Sequence, residues 1–189
     1  MRIYRPILAL LLLGFAACSH LPVNQQAGYQ QTDNQHLQNL ERWQLDGRLA
    51  LTDDKESISV SVVWTHKRDW DEIVLVGPLA QGRLLIAVSE SQVIIDDGSR
   101  SQQYNGSVND VVTDQLGVDM PVNALKYWVL GVKDPKQNYT EQQDGFYQNG
   151  WLVKYAEMQM IGGDKLQKKI SATKDKTRIK LIVDQWDLL

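Results

Sequence analysis

The chain has 189 residues, 43% of them apolar and 23% charged, which suits one packed domain and argues against global disorder. Its 20 basic and 23 acidic residues give a formal net charge of -3, so the basic surplus that a general nucleic-acid binder needs is absent. One cysteine and three histidines exclude an intrachain disulfide framework and a cysteine-rich zinc site.

Residues 1–17 read as an export signal. Arg2 and Arg5 precede an apolar run from Ile7 to Phe15, followed by Ala16-Ala17-Cys18. The run is too short for a permanent membrane span, which needs about 20 apolar residues. Small residues placed directly before the only cysteine resemble a bacterial lipobox. That resemblance implies that Cys18 becomes the first mature residue and carries S-diacylglycerol and N-palmitoyl groups. Ser19 in the next position, where Asp commonly signals inner-membrane retention, is consistent with onward transfer to the outer membrane. Loss of Arg2 and Arg5 leaves 18 basic and 23 acidic residues, a mature net charge of -5.

Residues 18–34 are rich in Gln and Asn and nearly uncharged, the composition of a flexible tether, and residues 35–189 form the domain. A helix starting at Thr32 or Asp33 is expected, with Leu37 and Leu40 on one side. The period then changes to two. Leu49 and Leu51 alternate within 47–52, and Ile58, Val60, Val62 and Trp64 alternate with Ser57, Ser59 and Ser61. Further strands are expected at 70–76, 83–88 and 92–96, separated by Gly77-Pro78, Ser89-Glu90 and Asp96-Asp97-Gly98. Such short links favour antiparallel neighbours.

Two short helices interrupt the meander. Val108, Val111, Val112 and Leu116 have helical spacing before Gly117, and Pro121 precedes a stripe of Val122, Leu125 and Trp128 that ends at Gly131. Strands resume at 139–143, 145–148, 151–159, 168–173 and 178–186. About ten strands with two or three helices make a strand-dominated α+β domain, one curved antiparallel sheet carrying helices on its concave side. Periodicity does not decide between a filled core and a cavity.

Catalytic chemistry has little to stand on. There is no G-x-S-x-G or S-x-x-K, and His20, His36 and His66 have no partner at ligand spacing. Asp53/Asp54 and Asp96/Asp97 fall in expected turns, where Asp is a turn residue. No metal site or cofactor is expected. Six tryptophans are more noticeable. They either pack an ordinary core or help line a hydrocarbon pocket, with Val60, Val62, Trp64, Leu125, Trp128 and Leu181 as the candidate lining. Pro78 and Leu79 sit at the tip of a glycine-bracketed loop, where the leucine either folds back over the core or projects toward a bilayer or partner.

Taken together, the lipobox, Gly47-Arg-Leu-Ala, Gly77-Pro78-Leu79, the segment from Pro121 to Gly131, and Arg178-Ile-Lys-Leu through Trp186 resemble the LolB family of outer-membrane lipoprotein receptors. The likeness spans Leu37 to Trp186, with Ala80 standing where Gly is usual. It implies an unclosed β-barrel of about eleven antiparallel strands with a helical lid over a hydrophobic cavity. It also implies a non-enzymatic, monomeric protein that accepts lipoproteins from the periplasmic carrier LolA and inserts them into the outer membrane, anchored at Cys18 and facing the periplasm. The loop of Pro78 and Leu79 would be the membrane-insertion loop. The competing expectation is a lipid-anchored assembly subunit of an envelope complex.

Overall fold

In the computed structural model the described residues are 34–189, apart from 81, 90 and 91. The expected signal segment, Cys18, His20 and the tether up to residue 33 lie outside them, whereas Asn34, expected in the tether, is buried and bonded to the carbonyl oxygens of Leu130 and Lys165 and so belongs to the domain. Eleven strands alternate along the chain: β1 (Arg42–Thr52), β2 (Ser57–Lys67), β3 (Trp70–Val76), β4 (Arg83–Val88), β5 (Val93–Asp96), β6 (Ser101–Tyr104), β7 (Tyr139–Gln142), β8 (Gly145–Gln148), β9 (Trp151–Ile161), β10 (Asp164–Lys174) and β11 (Thr177–Leu188). Helices α1 (Val108–Leu116) and α2 (Val122–Trp128) stand between β6 and β7. All strands join one sheet in the order β6-β5-β4-β3-β2-β1-β11-β10-β9-β8-β7. The first and last strands pair, β1 with β11, while the edges β6 and β7 remain apart, so the barrel is unclosed.

The alternating pattern explains the long central strands. In β1, Trp43, Leu45, Gly47, Leu49 and Leu51 are all buried, and the strand reaches back to Arg42 rather than starting at 47. Gly47 sits at a register shift against β11, where an added Cβ would lie 2.3 Å from the carbonyl oxygen of Ile182. A side chain there would drive the two strands apart.

Three expectations are corrected. The helix expected from Thr32 or Asp33 is, among the described residues, a five-residue 3-10 turn, Gln35–Asn39. Leu37 is buried as expected, but Leu40 already has extended backbone and leads into β1. Strand β6 was not anticipated because Ser101, Gln102 and Gln103 are polar and exposed, as an edge tolerates. Strand β10 starts at Asp164, before the expected 168, because register shifts around Gln167 and Lys169 break the alternation that marks a strand.

The concave side of the sheet and both helices share one apolar core. Two aromatic groups organise it. Trp43 meets Trp64 at 5.5 Å and Trp186 at 5.7 Å between ring centroids. Across the sheet, Trp128 meets Phe146 at 6.3 Å and Trp151 at 6.2 Å. These tilted and edge contacts add to the burial of large apolar area.

The registers define two poles. One carries the start of β1 at Arg42, the β2–β3 turn after Lys67, the β9–β10 turn and the entry of the chain at Asn34. The other carries the turn between Thr52 and Ser57, the loop between Val76 and Arg83, and the turn between Lys174 and Thr177.

Candidate functional site

The loop from β3 to β4 is closed by the Gly77 N–H donating to the carbonyl oxygen of Gly82 at 3.1 Å. Inside it, Leu79 has φ 58° and Ala80 has φ 56°. Two successive L-residues in the left-handed region cost roughly 1–2 kcal/mol each. This backbone carries Leu79 outward: it is 92% exposed, the most exposed large apolar residue described. Of the two conformations open to a loop leucine, this chain takes the projecting one, flanked by exposed Pro78 and Ala80.

Below the loop lies a cleft of about 250 Å³ lined by Leu51, Ile58, Val60, Leu75, Leu84 and Leu116, with Arg83 and Asp97 at its rim. At the opposite pole a larger cleft of about 830 Å³ has Trp43, Val93, Val108 and Leu130 as apolar surface and Arg68, Asp69, Lys126 and Lys136 among its polar groups. Helix α1 links the two. Its first residue, Val108, borders the large cleft and its last, Leu116, borders the small one.

The two helices are held differently. The indole N–H of Trp128 at the end of α2 donates to Gln148 Oε1 at 2.9 Å, and the Tyr155 hydroxyl donates to the Trp128 carbonyl oxygen at 2.9 Å. Gln148 is fully used, since it also accepts from the Asp134 N–H and donates to the carbonyl oxygens of Asp134 and Gln137. By contrast, α1 rests on Val108 and Val112. Its polar ties are peripheral, such as the Asn109 carboxamide oxygen that accepts from the Asn123 N–H at 3.2 Å. Where α2 ends, Gly131 has φ 77° and a Cβ there would lie 2.0 Å from Gln167 Nε2, so a glycine is required.

The six candidate cavity residues are not brought to one open cavity. Val60 borders the small cleft, while Val62, Trp64, Leu125, Trp128 and Leu181 are packed in the closed core. The tryptophans are fixed there by polar partners as well as by area: Trp64 Nε1 donates to Asp71 Oδ1 at 2.9 Å and Trp128 to Gln148. Sequence reasoning missed Leu51, Ile58, Leu75, Leu84 and Leu116 as a lining. Alternation placed them on apolar faces, but only the fold shows that those faces are left partly uncovered at the rim.

The acidic pairs are turn devices. Asp97 accepts from the Ser99 hydroxyl and from the Ser99 and Arg100 N–H groups, and these bonds lower its carboxyl to about 2. Asp53 is lowered by the N–H groups of Glu56 and Lys55. His66 Nδ1 lies 2.9 Å from Asp71, stacked on Trp43, and His36 lies 2.7 Å from Asp164. Among the described residues no group of three or more His, Cys, Asp or Glu side chains could hold a metal ion, and no helix is long and apolar enough to cross a membrane.

The described residues thus form an unclosed antiparallel barrel that holds two helices against its apolar face. The fold is similar to the crystal structure of a LolA superfamily protein from Nitrosomonas europaea, with a TM-score of 0.52, 9% identity, and coverage of 80% of this chain and 87% of that one. The family model described as outer membrane lipoprotein LolB matches residues 41–186, and the chain belongs to that family. It is similar to the outer-membrane lipoprotein LolB of Nitrosococcus oceani, 29% identical over 195 residues and covering 96% of each chain. The LolB of Cellvibrio japonicus is 29% identical over 169 residues, covering 84% of this chain and 83% of the relative.

Proposed function

We propose that this protein receives acylated lipoproteins from the periplasmic carrier LolA and releases them into the outer membrane, where Cys18 anchors it with the domain facing the periplasm. The protein acts as a monomer, without covalent chemistry and without a cofactor. The observation that carries the reading is the pairing of a 92% exposed Leu79 with an apolar cleft directly beneath its loop. An exposed apolar tip beside an apolar trough offers a hydrocarbon chain a short path between protein and lipid.

The energetics favour a relay. A triacylated cargo exposes on the order of 40 methylenes, at roughly 0.8 kcal/mol each, so passage through bare water is prohibitive. Transfer between two sheltering hosts needs only a small difference in affinity, with about 1.4 kcal/mol shifting the partition tenfold. The small cleft, about 250 Å³, is below the ~300–1,000 Å³ usual for ligand pockets and holds part of one chain. Displacing α1, which lies over the strip between the two clefts, joins them into one trough along the sheet. Helix α2 stays fixed through Gln148 and Tyr155.

Transfer of radiolabelled lipoprotein from its carrier to membrane vesicles tests the reading, with Leu79→Glu as the variant. A stable Leu79→Glu protein that takes up cargo and fails to deliver it is the expected result. Normal delivery refutes the role of Leu79. A stable complex with other envelope proteins, without uptake of a fluorescent acyl probe, favours the assembly subunit instead.

A further inference from the structure

The outer face of the sheet carries an unpaired basic patch at the Leu79 pole. In the registers, Ser59 of β2, Ala50 of β1, Lys180 of β11, Ser171 of β10 and Lys154 of β9 form one row across five strands. The next row toward the pole runs Ser57, Thr52, Arg178, Thr173 and Leu152. Lys154, Arg178 and Lys180 are exposed, while their neighbours Val153, Ile179 and Leu181 are buried in the core. Strand alternation therefore sets the three cations on the outside, among small and hydroxyl side chains. Ala50, Thr52, Thr173, Arg178 and Lys180 line a cleft there of about 580 Å³, which also takes in Asp175 and Lys176 of the β10–β11 turn.

What sets these cations apart is the lack of a partner. Neighbouring cations are tied to acids: Arg48 to Asp184 at 2.8 Å, Lys174 to Asp119 at 3.1 Å, Lys176 to Asp54 at 2.5 Å, and Lys169 to Glu157. Among the described residues Lys154, Arg178 and Lys180 make no ion pair, and every residue opposite them in the registers is uncharged. Lys154, Lys176, Arg178 and Lys180 against Asp54 and Asp175 leave a local surplus of two positive charges, on a chain whose formal net charge is -3. The place matters as much as the charge. Val76, the last residue of β3, pairs with Ser61, so the Leu79 loop continues past that level and lies against β2. Strands β2 and β1 separate β3 from β11, three strand spacings or roughly 14 Å.

We infer that this face is a docking site for the phosphates of anionic phospholipid headgroups, and that it seats the domain on the bilayer with Leu79 turned into the lipid. The inference rests on the reading above in taking the Leu79 pole as the one that meets the membrane. The chemistry suits a phosphate. Arg178 offers a planar fork of donors that matches phosphate oxygens, Lys180 and Lys154 supply point charges, and the Thr52 and Thr173 hydroxyls add neutral donors in the cleft. The two parts of the pole act over different ranges. Cations attract an anionic surface over about a screening length, whereas a leucine gains only once it is within the acyl boundary. The patch orients the domain, and the loop inserts.

The experiment uses the chain from residue 18 with Cys18→Ala, which keeps the whole domain and removes the acyl anchor. It is co-sedimented with phosphatidylcholine vesicles made with and without phosphatidylglycerol. Tighter binding to the vesicles that contain phosphatidylglycerol is expected. A basic residue near an anionic surface contributes about fivefold (about 1 kcal/mol). Arg178→Gln/Lys180→Gln should therefore lose about twenty- to thirtyfold on those vesicles and nothing on phosphatidylcholine alone, with its urea midpoint unchanged. Arg42→Gln/Lys67→Gln, a register pair at the opposite pole, removes the same charge and should keep the preference. Without these substitutions, the preference should fade between about 0.1 M and about 1 M salt, as the screening length falls from about 10 Å to about 3 Å. Binding that ignores phosphatidylglycerol, ignores salt, or falls equally in both double variants overturns the inference. Stronger displacement by inorganic phosphate than by chloride of equal ionic strength also overturns it, by assigning the cleft to a soluble anion. Normal vesicle binding by Arg178→Gln/Lys180→Gln with reduced cargo uptake does the same, by assigning the face to the carrier. The vesicle measurements use no cargo, so normal delivery by Leu79→Glu, or failure of the acylated protein to accept cargo, counts against the functional reading instead.

Discussion

The indole Nε1–H of Trp128 donates to Oε1 of Gln148 at 2.9 Å, and this buried bond fixes the end of α2 to strand β8. The same amide holds the backbone of Asp134 and Gln137, so one side chain on β8 secures the segment that leaves the helix. Among the described residues no buried side-chain bond of this kind serves α1, whose hold is mainly apolar.

Gln148→Ala leaves the Trp128 N–H and three backbone groups without their partner. Each buried polar group left unpaired costs about 1–3 kcal/mol, and the network is cooperative. A loss of about 3 kcal/mol or more is expected, read from the midpoint of urea unfolding. A change below about 1 kcal/mol would show that water replaces the amide and that α2 is not fixed in this way.

Val112, on the inner face of α1, is wholly buried. Truncation to Ala removes part of the apolar grip of the helix at a cost of about 1–2 kcal/mol. Binding of a fluorescent fatty acid by Val112→Ala should become several-fold faster in stopped-flow mixing. Unchanged kinetics in a folded variant would place the moving element elsewhere.

Leu79→Glu and Ala80→Gly separate function from stability in one loop. Leu79 makes little use of the core, so its replacement should shift unfolding by less than about 0.5 kcal/mol. At Ala80, with φ 56°, glycine relieves about 1–2 kcal/mol of strain and adds about 0.4–1 kcal/mol of unfolded-chain entropy. The net gain of Ala80→Gly should reach up to about 1 kcal/mol. Gly47→Ala should do the opposite and lose about 3 kcal/mol or more, because its Cβ meets the carbonyl oxygen of Ile182 at 2.3 Å.

Acid should weaken the domain through its turns. The folded carboxyl of Asp97, lowered by Ser99 and Arg100 to about 2, lies below that of an unfolded aspartate near 3.9. A lowered folded value adds stability above the unfolded value, and that stability is lost as pH falls toward the folded one. Asp53, lowered by its own turn, acts in the same direction. The urea midpoint should be level above about pH 5 and fall between about pH 4 and pH 2. Asp97→Asn should flatten part of that fall, and an unaltered acid profile would contradict the assignment.

Most of the sheet can be read along the chain because burial on one face imposes a period of two. Ile58, Val60, Val62 and Trp64 show it in β2, and Ile179, Leu181 and Val183 show it in β11. Helix α1 follows from Val108, Val112 and Gly117 in the same way, and the existence of the β3–β4 loop, though not the outward course of Leu79, follows from its bracketing glycines and Pro78. Elements that escape this reading lack a local signal. Strand β6 is a polar edge paired with β5, and the start of β10 is hidden by its register shifts.

The sequence by itself determined the antiparallel sheet, the two helices, the turn roles of Asp53 and Asp97 and the place of Leu79 in a loop, since each depends on neighbours a few residues away. Only the tertiary structure decided that Trp64 and Trp128 fill the core while Leu51, Ile58 and Leu84 border an open cleft, and that Asn34 and Leu79 occupy opposite poles. Those outcomes depend on which faces are covered by distant strands and helices, and on the length of β1, whose two ends lie at the two poles. Periodicity names an apolar face, but packing determines whether it is filled.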